Sequence, residues 1–165
     1  MNTYEAYKNK AINLSAFGLD RCGNDYTYFC TPVGADIFAA PGVDGIHYCM
    51  IEGFGELVFA ISPMNFGDYV HPIARNFEDL LRMLLYCGDM AALEQCYAWD
   101  EEQFKAFLLD CPPTEQQRPV LAIIKEASGA AKIENTVSLH LKGRPTHAAS
   151  ATGAKSTLPI TAATR

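Results

Sequence analysis

The period of apolar positions changes partway along this chain. From residue 42 to 63, "GVDGIHYCMIEGFGELVFAISP", β-branched and aromatic residues alternate in short runs punctuated by glycine and proline. "GIHYCMI" predicts a strand with Ile46, Tyr48 and Met50 on one face and His47, Cys49 and Ile51 on the other. "EGFG" at 52–55 has the length and composition of a hairpin connection, and "ELVFAIS" at 56–62 predicts its second strand. That second strand is apolar on both faces. It suits a central strand covered on both sides, or on one side and by an irregular segment on the other. "YVHPIA" at 69–74 predicts a third strand, which Pro72 directs to an edge or a strand end because proline gives the ladder no N–H.

Beyond residue 75 the period becomes helical. Phe77, Leu80, Leu81, Leu84 and Leu85 fall at i, i+3, i+4, i+7 and i+8, behind Asn76 as an N-cap and with Glu78 and Asp79 in the first turn. Gly88 predicts the end of that helix. Asp89 and Asp100 predict the caps of two more, and Thr114 with Gln117 spells a capping box for a fourth that runs to about Ala127. A core joining Phe59, Ile61, Leu81, Leu84 and Phe104 is expected where the first of these helices packs on the hairpin. A hairpin-containing sheet followed by four short helices reads as α+β.

The ends of the chain are less patterned. A short helix is expected near Tyr4–Leu14, and "CTPVGAD" at 30–36 reads as a turn. Residues 1–134 are expected to form one domain. Residues 135–165 form a basic tail rich in Ala, Ser and Thr that has no sustained apolar face, so disorder or loose packing is expected there.

Charge narrows the functional classes. All 19 acidic residues lie in residues 1–134, with nine of the 13 basic ones, and the whole chain has a formal charge of −6. An acidic body repels phosphate, which argues against direct nucleic-acid binding, and it attracts a basic protein. No apolar leader or membrane-length run is visible, so a cytoplasmic protein without membrane contact is expected. Six cysteines at 22, 30, 49, 87, 96 and 111 show no CxxC spacing and are expected to be reduced.

The hairpin carries residues for two chemistries. A cysteine-dependent enzyme could use Cys49 with His47. However, side chains at i and i+2 stand roughly 7 Å apart along a strand, and apolar neighbours keep a thiol protonated. A metal or small-ligand regulatory domain could use His47, His71, Cys49 and Asp44, although no pair has a specific ligand spacing. "GFG" joins two strands and precedes no helix, so it is not a phosphate loop. The helix-start acids, Glu78–Asp79 and Asp100–Glu101–Glu102, are explained by the helix dipole, and Trp99 at a helix junction by core packing. No catalytic residue, metal or cofactor is expected.

"CTPVGAD", "GVDGIHYCMIEGFGELVFAISPMN", "YVHPIARNFEDLLRMLLYCGD", "ALEQCYAWDEEQFKAFL" and "PPTEQQRPVL" together resemble the bacterial branch of the SMI1/KNR4-like (SUKH) superfamily, over roughly residues 26 to 127. The resemblance implies a single domain with a curved mixed or antiparallel sheet flanked by short helices. It also implies a non-enzymatic protein-binding role, in which an immunity-type protein neutralises a bacterial toxin, often a nuclease. With the hairpin faces committed to the core, binding is expected on the polar rim at the strand ends. The candidates are Asp44, Glu52, Glu56, Asp68, Tyr69 and His71, facing a basic toxin domain.

Overall fold

The alternation at residues 46–51 is the axis of the fold. In the computed structural model, which describes residues 3–127, that strand is the centre of a five-stranded antiparallel sheet. The strands are β1 Asp20–Arg21, β2 Ala35–Ala40, β3 His47–Ile51, β4 Val58–Ile61 and β5 Val70–Ala74. They lie side by side in sequence order, so each pairs with its chain neighbour. The expected α+β class therefore holds, with antiparallel pairing throughout. Pro72 lies on the edge strand β5, as its missing N–H requires.

The described residues form five α-helices, α1 Thr3–Lys8, α2 Phe77–Cys87, α3 Met90–Gln95, α4 Glu101–Asp110 and α5 Gln117–Ala127, and side-chain caps open the last four. Asn76 accepts the Asp79 N–H at 2.8 Å, and Asp89 accepts the Ala91 N–H at 2.8 Å. Asp100 and Gln103 close a capping box, as do Thr114 and Gln117. Gly88 takes a left-handed φ of 74° at the end of α2 and lies against Pro113, where a Cβ would come within 2.7 Å of the Pro113 ring. That contact ties the α2 terminus to the turn that opens α5.

The sheet divides the core in two. Tyr48, Val58 and Ala60 face the helices and pack with Phe77, Leu80, Leu81, Leu84 and Phe104. Ile37, Cys49, Ile51, Phe59 and Ile61 form a second cluster on the opposite face, edged by Cys22 and Cys30. The five residues expected to share one core are all buried, but Phe59 and Ile61 lie across the sheet from Leu81, Leu84 and Phe104. Adjacent residues in β4 point to opposite faces, so it is Val58 and Ala60 that meet the helices.

Among the described residues no helix covers the second face. Residues 22–34 cross it as an irregular segment, the alternative that the two-sided apolar pattern of residues 56–62 left open. The Asn24 side chain accepts the Ile37 N–H at 2.7 Å, Thr31 reaches His47, and the Gly34 carbonyl accepts the Glu52 N–H at 3.0 Å.

Three expectations change. The N-terminal helix stops at Lys8, because Lys10 turns left-handed (φ 63°) and redirects the chain so that Leu14 and Phe17 are buried. The turn at 30–36 ends early: Ala35 and Asp36 already belong to β2. Glu56 and Leu57 stay in the hairpin connection, which runs from residue 52 to 57. Among the described residues no helix is long and apolar enough to cross a membrane. The tail from residue 135 lies outside the described residues.

Candidate functional site

His47 and Cys49 are scaffold in their geometry. His47 is fully buried; its Nδ1 bonds the Gly45 carbonyl at 2.9 Å and its Nε2 bonds Thr31 Oγ1 at 3.0 Å. Burial pushes the imidazole pKa down. The neutral ring therefore donates from Nδ1 and accepts the Thr31 hydroxyl at Nε2, while Thr31 Oγ1 in turn accepts the Tyr28 N–H at 2.8 Å. Tyr28 stacks on the imidazole, with centroids 6.0 Å apart. Both ring nitrogens are thus occupied by partners other than Cys49. The Cys49 thiol is also fully buried, and burial pushes its pKa up to about 12, with a smaller contribution from Asp36. A protonated thiol beside an occupied imidazole forms no nucleophilic pair. No group of three or more His, Cys, Asp or Glu side chains suited to a metal occurs among the described residues.

The six rim residues do not form one surface. In an antiparallel meander, alternate connections lie at opposite ends of the strands. Asp44 (β2–β3 connection) and Asp68 and Tyr69 (β4–β5 connection) share one end. Glu52 and Glu56 occupy the β3–β4 connection at the other. A five-residue strand separates the two ends by about 15 Å. Glu56 there lines a cleft of ≈ 160 Å³ with Met50, Asn76 and Glu78. His71 is not on the rim at all. It is buried, stacks on Tyr97 with centroids 3.7 Å apart, and bonds the Asp68 carbonyl through Nε2 at 2.8 Å. The regular alternation of β5 explains this: His71 pairs with Ala60, which faces the helices, so its ring turns toward Tyr97 in the short 3-10 turn after α3.

The Asp44–Asp68 end leaves several large apolar side chains in water. Phe66 is 85% exposed, Phe29 76% and Met64 59%, and Tyr28 and Val43 are exposed beside them. Phe29 meets Tyr69 edge-on at 5.4 Å, which joins the crossing segment to the β4–β5 connection. Asp44 is held out by an Asp-Gly turn: the Val43 carbonyl accepts the Ile46 N–H at 3.0 Å, with positive φ at Asp44 (53°) and Gly45 (69°). Gly45 is also required by space, since a Cβ there would lie 2.6 Å from the Tyr28 ring. Exposed aromatic and Met side chains edged by acids are the composition of a protein-interaction patch.

A cleft of ≈ 270 Å³ opens at the same end between Asp44, Ser62, Asn65, Glu94, Tyr97 and Trp99. Sequence reasoning missed Glu94, Tyr97 and Trp99 as site residues. Trp99 does pack, with its ring 4.8 Å from Phe107, but it also lines the cleft. Glu94 is half-buried, and burial and then Asp44 raise its carboxyl pKa, against a lowering hydrogen bond from Ser62.

No family model, curated protein or solved structure matches the chain.

Proposed function

We propose that this chain is a non-enzymatic protein-binding module of the immunity type. It docks a basic toxin domain in the cytoplasm through the sheet end that carries Asp44 and Asp68. The observation that carries the reading is the cluster of exposed Phe29, Met64 and Phe66 at that end, edged by acids in a chain of net charge −6. Large apolar side chains left in water at a rigid strand end favour a partner that covers them, and the acidic field selects a basic one. The engaged imidazole of His47 and the protonated thiol of Cys49 support a role without covalent catalysis.

The test is co-expression with the toxin domain encoded beside the chain's own gene. Growth rescue and a stable complex are expected, and both should be lost when Phe29 and Phe66 are changed to Ala in a variant that keeps its melting temperature. A neighbourhood without a toxin gene, or a toxin that kills regardless of this chain, would overturn the immunity role. Rescue that ignores the double change would move the interface elsewhere.

A further inference from the structure

We propose that the cleft between Asp44, Glu94 and Trp99 is an anchor pocket for a guanidinium group, the arginine side chain of the docked partner. The proposal deepens the docking reading by naming what enters the surface.

Three features favour a cation. Glu94 is withdrawn from water by half, yet among the described residues no salt bridge reaches it or Asp44; the ion pairs join other residues. A partly desolvated carboxylate facing an open cleft, next to a second carboxylate, is an unfavourable arrangement that a ligand cation relieves. The cleft walls are also preorganised. Tyr97 is fixed by its stack on His71, Trp99 by Phe107, and Glu94 by the hydroxyl of buried Ser62. Finally, the pocket offers more acceptors than an ammonium group could use. Asp44, Glu94, Asn65 and Gln95, each with side-chain oxygens, line it together with Trp99. A guanidinium has five donors in a plane that can lie on an aromatic face, whereas lysine presents a compact point charge. Arginine is also among the residues that most often anchor protein interfaces.

The chain has one tryptophan, Trp99, so tryptophan emission comes from a single ring that lines this cleft. The probes are N-acetyl-arginine amide, the lysine amide, and the citrulline amide, which keeps the arginine shape without its charge. A saturable change in Trp99 emission is expected with the arginine amide at roughly millimolar concentration. The lysine amide should bind more weakly and the citrulline amide should give no saturable change. Glu94→Gln keeps an acceptor for Ser62, and Asp44→Asn keeps a residue that tolerates positive φ. Each should weaken the arginine response about tenfold. The response of the wild type should also fade in acid as Glu94 takes up its proton, while that of Glu94→Gln changes less. An absent response, an equal response to citrulline or lysine, or affinities unchanged in both variants would overturn the pocket. Because the probe is a single residue, this result does not depend on any protein partner. Loss of the pocket with the toxin complex intact would leave the docking reading standing, and the reverse would remove docking while keeping the pocket.

Discussion

At the scale of single residues, chemistry is decided by which groups the fold leaves in water. Cys49 is fully buried with its pKa pushed up to about 12, whereas Cys111 is exposed. Iodoacetamide applied to the native protein near neutral pH should modify Cys111 first, with the buried Cys49 and Cys87 last, read by peptide mass. Early labelling of Cys49 would restore it as a reactive thiol. Glu94 makes a prediction of the opposite kind. Its carboxyl pKa is raised in the folded chain, so folding favours its protonated form. Stability from this group is full below the ordinary Glu range and is lost as pH rises through the raised value. Glu94→Gln should therefore melt higher than the wild type at neutral pH, with the gap closing in acid. A gap independent of pH would show that Glu94 does not titrate as described. The roles of His47 and Asp44 were legible in the sequence, the first from apolar alternation and the second from an Asp-Gly pair. Glu94 was not, because its setting is made by Asp44, Ser62 and α3, which lie in three separate stretches of the chain.

At the scale of elements, local signals carried furthest where a side chain acts on its own backbone. Asn76, Asp89, Asp100 and Thr114 all cap the helices that their positions announced. β2 was missed because "ADIFAA" is half alanine, a residue sparse in strands, and its pairing slips between Ile37 and Ala39. The two-faced core gives an energetic prediction. Leu84→Ala, on the helical side, should cost about 2–5 kcal/mol, and Ile61→Val, on the other, about 0.5–1.5 kcal/mol. Since the sheet lies between them, urea denaturation of the double variant should give the sum to within about 0.5 kcal/mol. A large coupling would mean that the two sites share one packed cluster.

At the scale of the whole molecule, the meander distributes the acids to opposite ends about 15 Å apart, beyond the screening length of about 10 Å at 0.1 M salt. Charge reversal at Asp44 and Asp68 should thus slow association with a basic partner and flatten its salt dependence. Reversal at Glu52 and Glu56 should do so much less. Stopped-flow rates at several ionic strengths would separate the two, and equal effects would show that the approach is not steered toward one end. The apolar faces of the hairpin pointed to a polar rim, but the rim's division into two ends became visible only with the strand order.

Between backbone bonds at its two ends, the segment 22–34 closes the second face through side-chain bonds and rings, whereas the helices close the first with continuous internal ladders. Such a cover can lift away as a unit while the sheet and helices stay folded, at a free energy below that of global unfolding. Amide hydrogen exchange should therefore run faster at Tyr26–Cys30 than in β3 or α2. Phe29, part of the exposed cluster, lies on this cover and meets Tyr69 across its edge. A partner seated there holds the cover shut, so complex formation should slow exchange beneath the contact and raise the cost of exposing Ile37, Phe59 and Ile61. For this chain, recognition at one end of the sheet would then also decide how often its second core meets water.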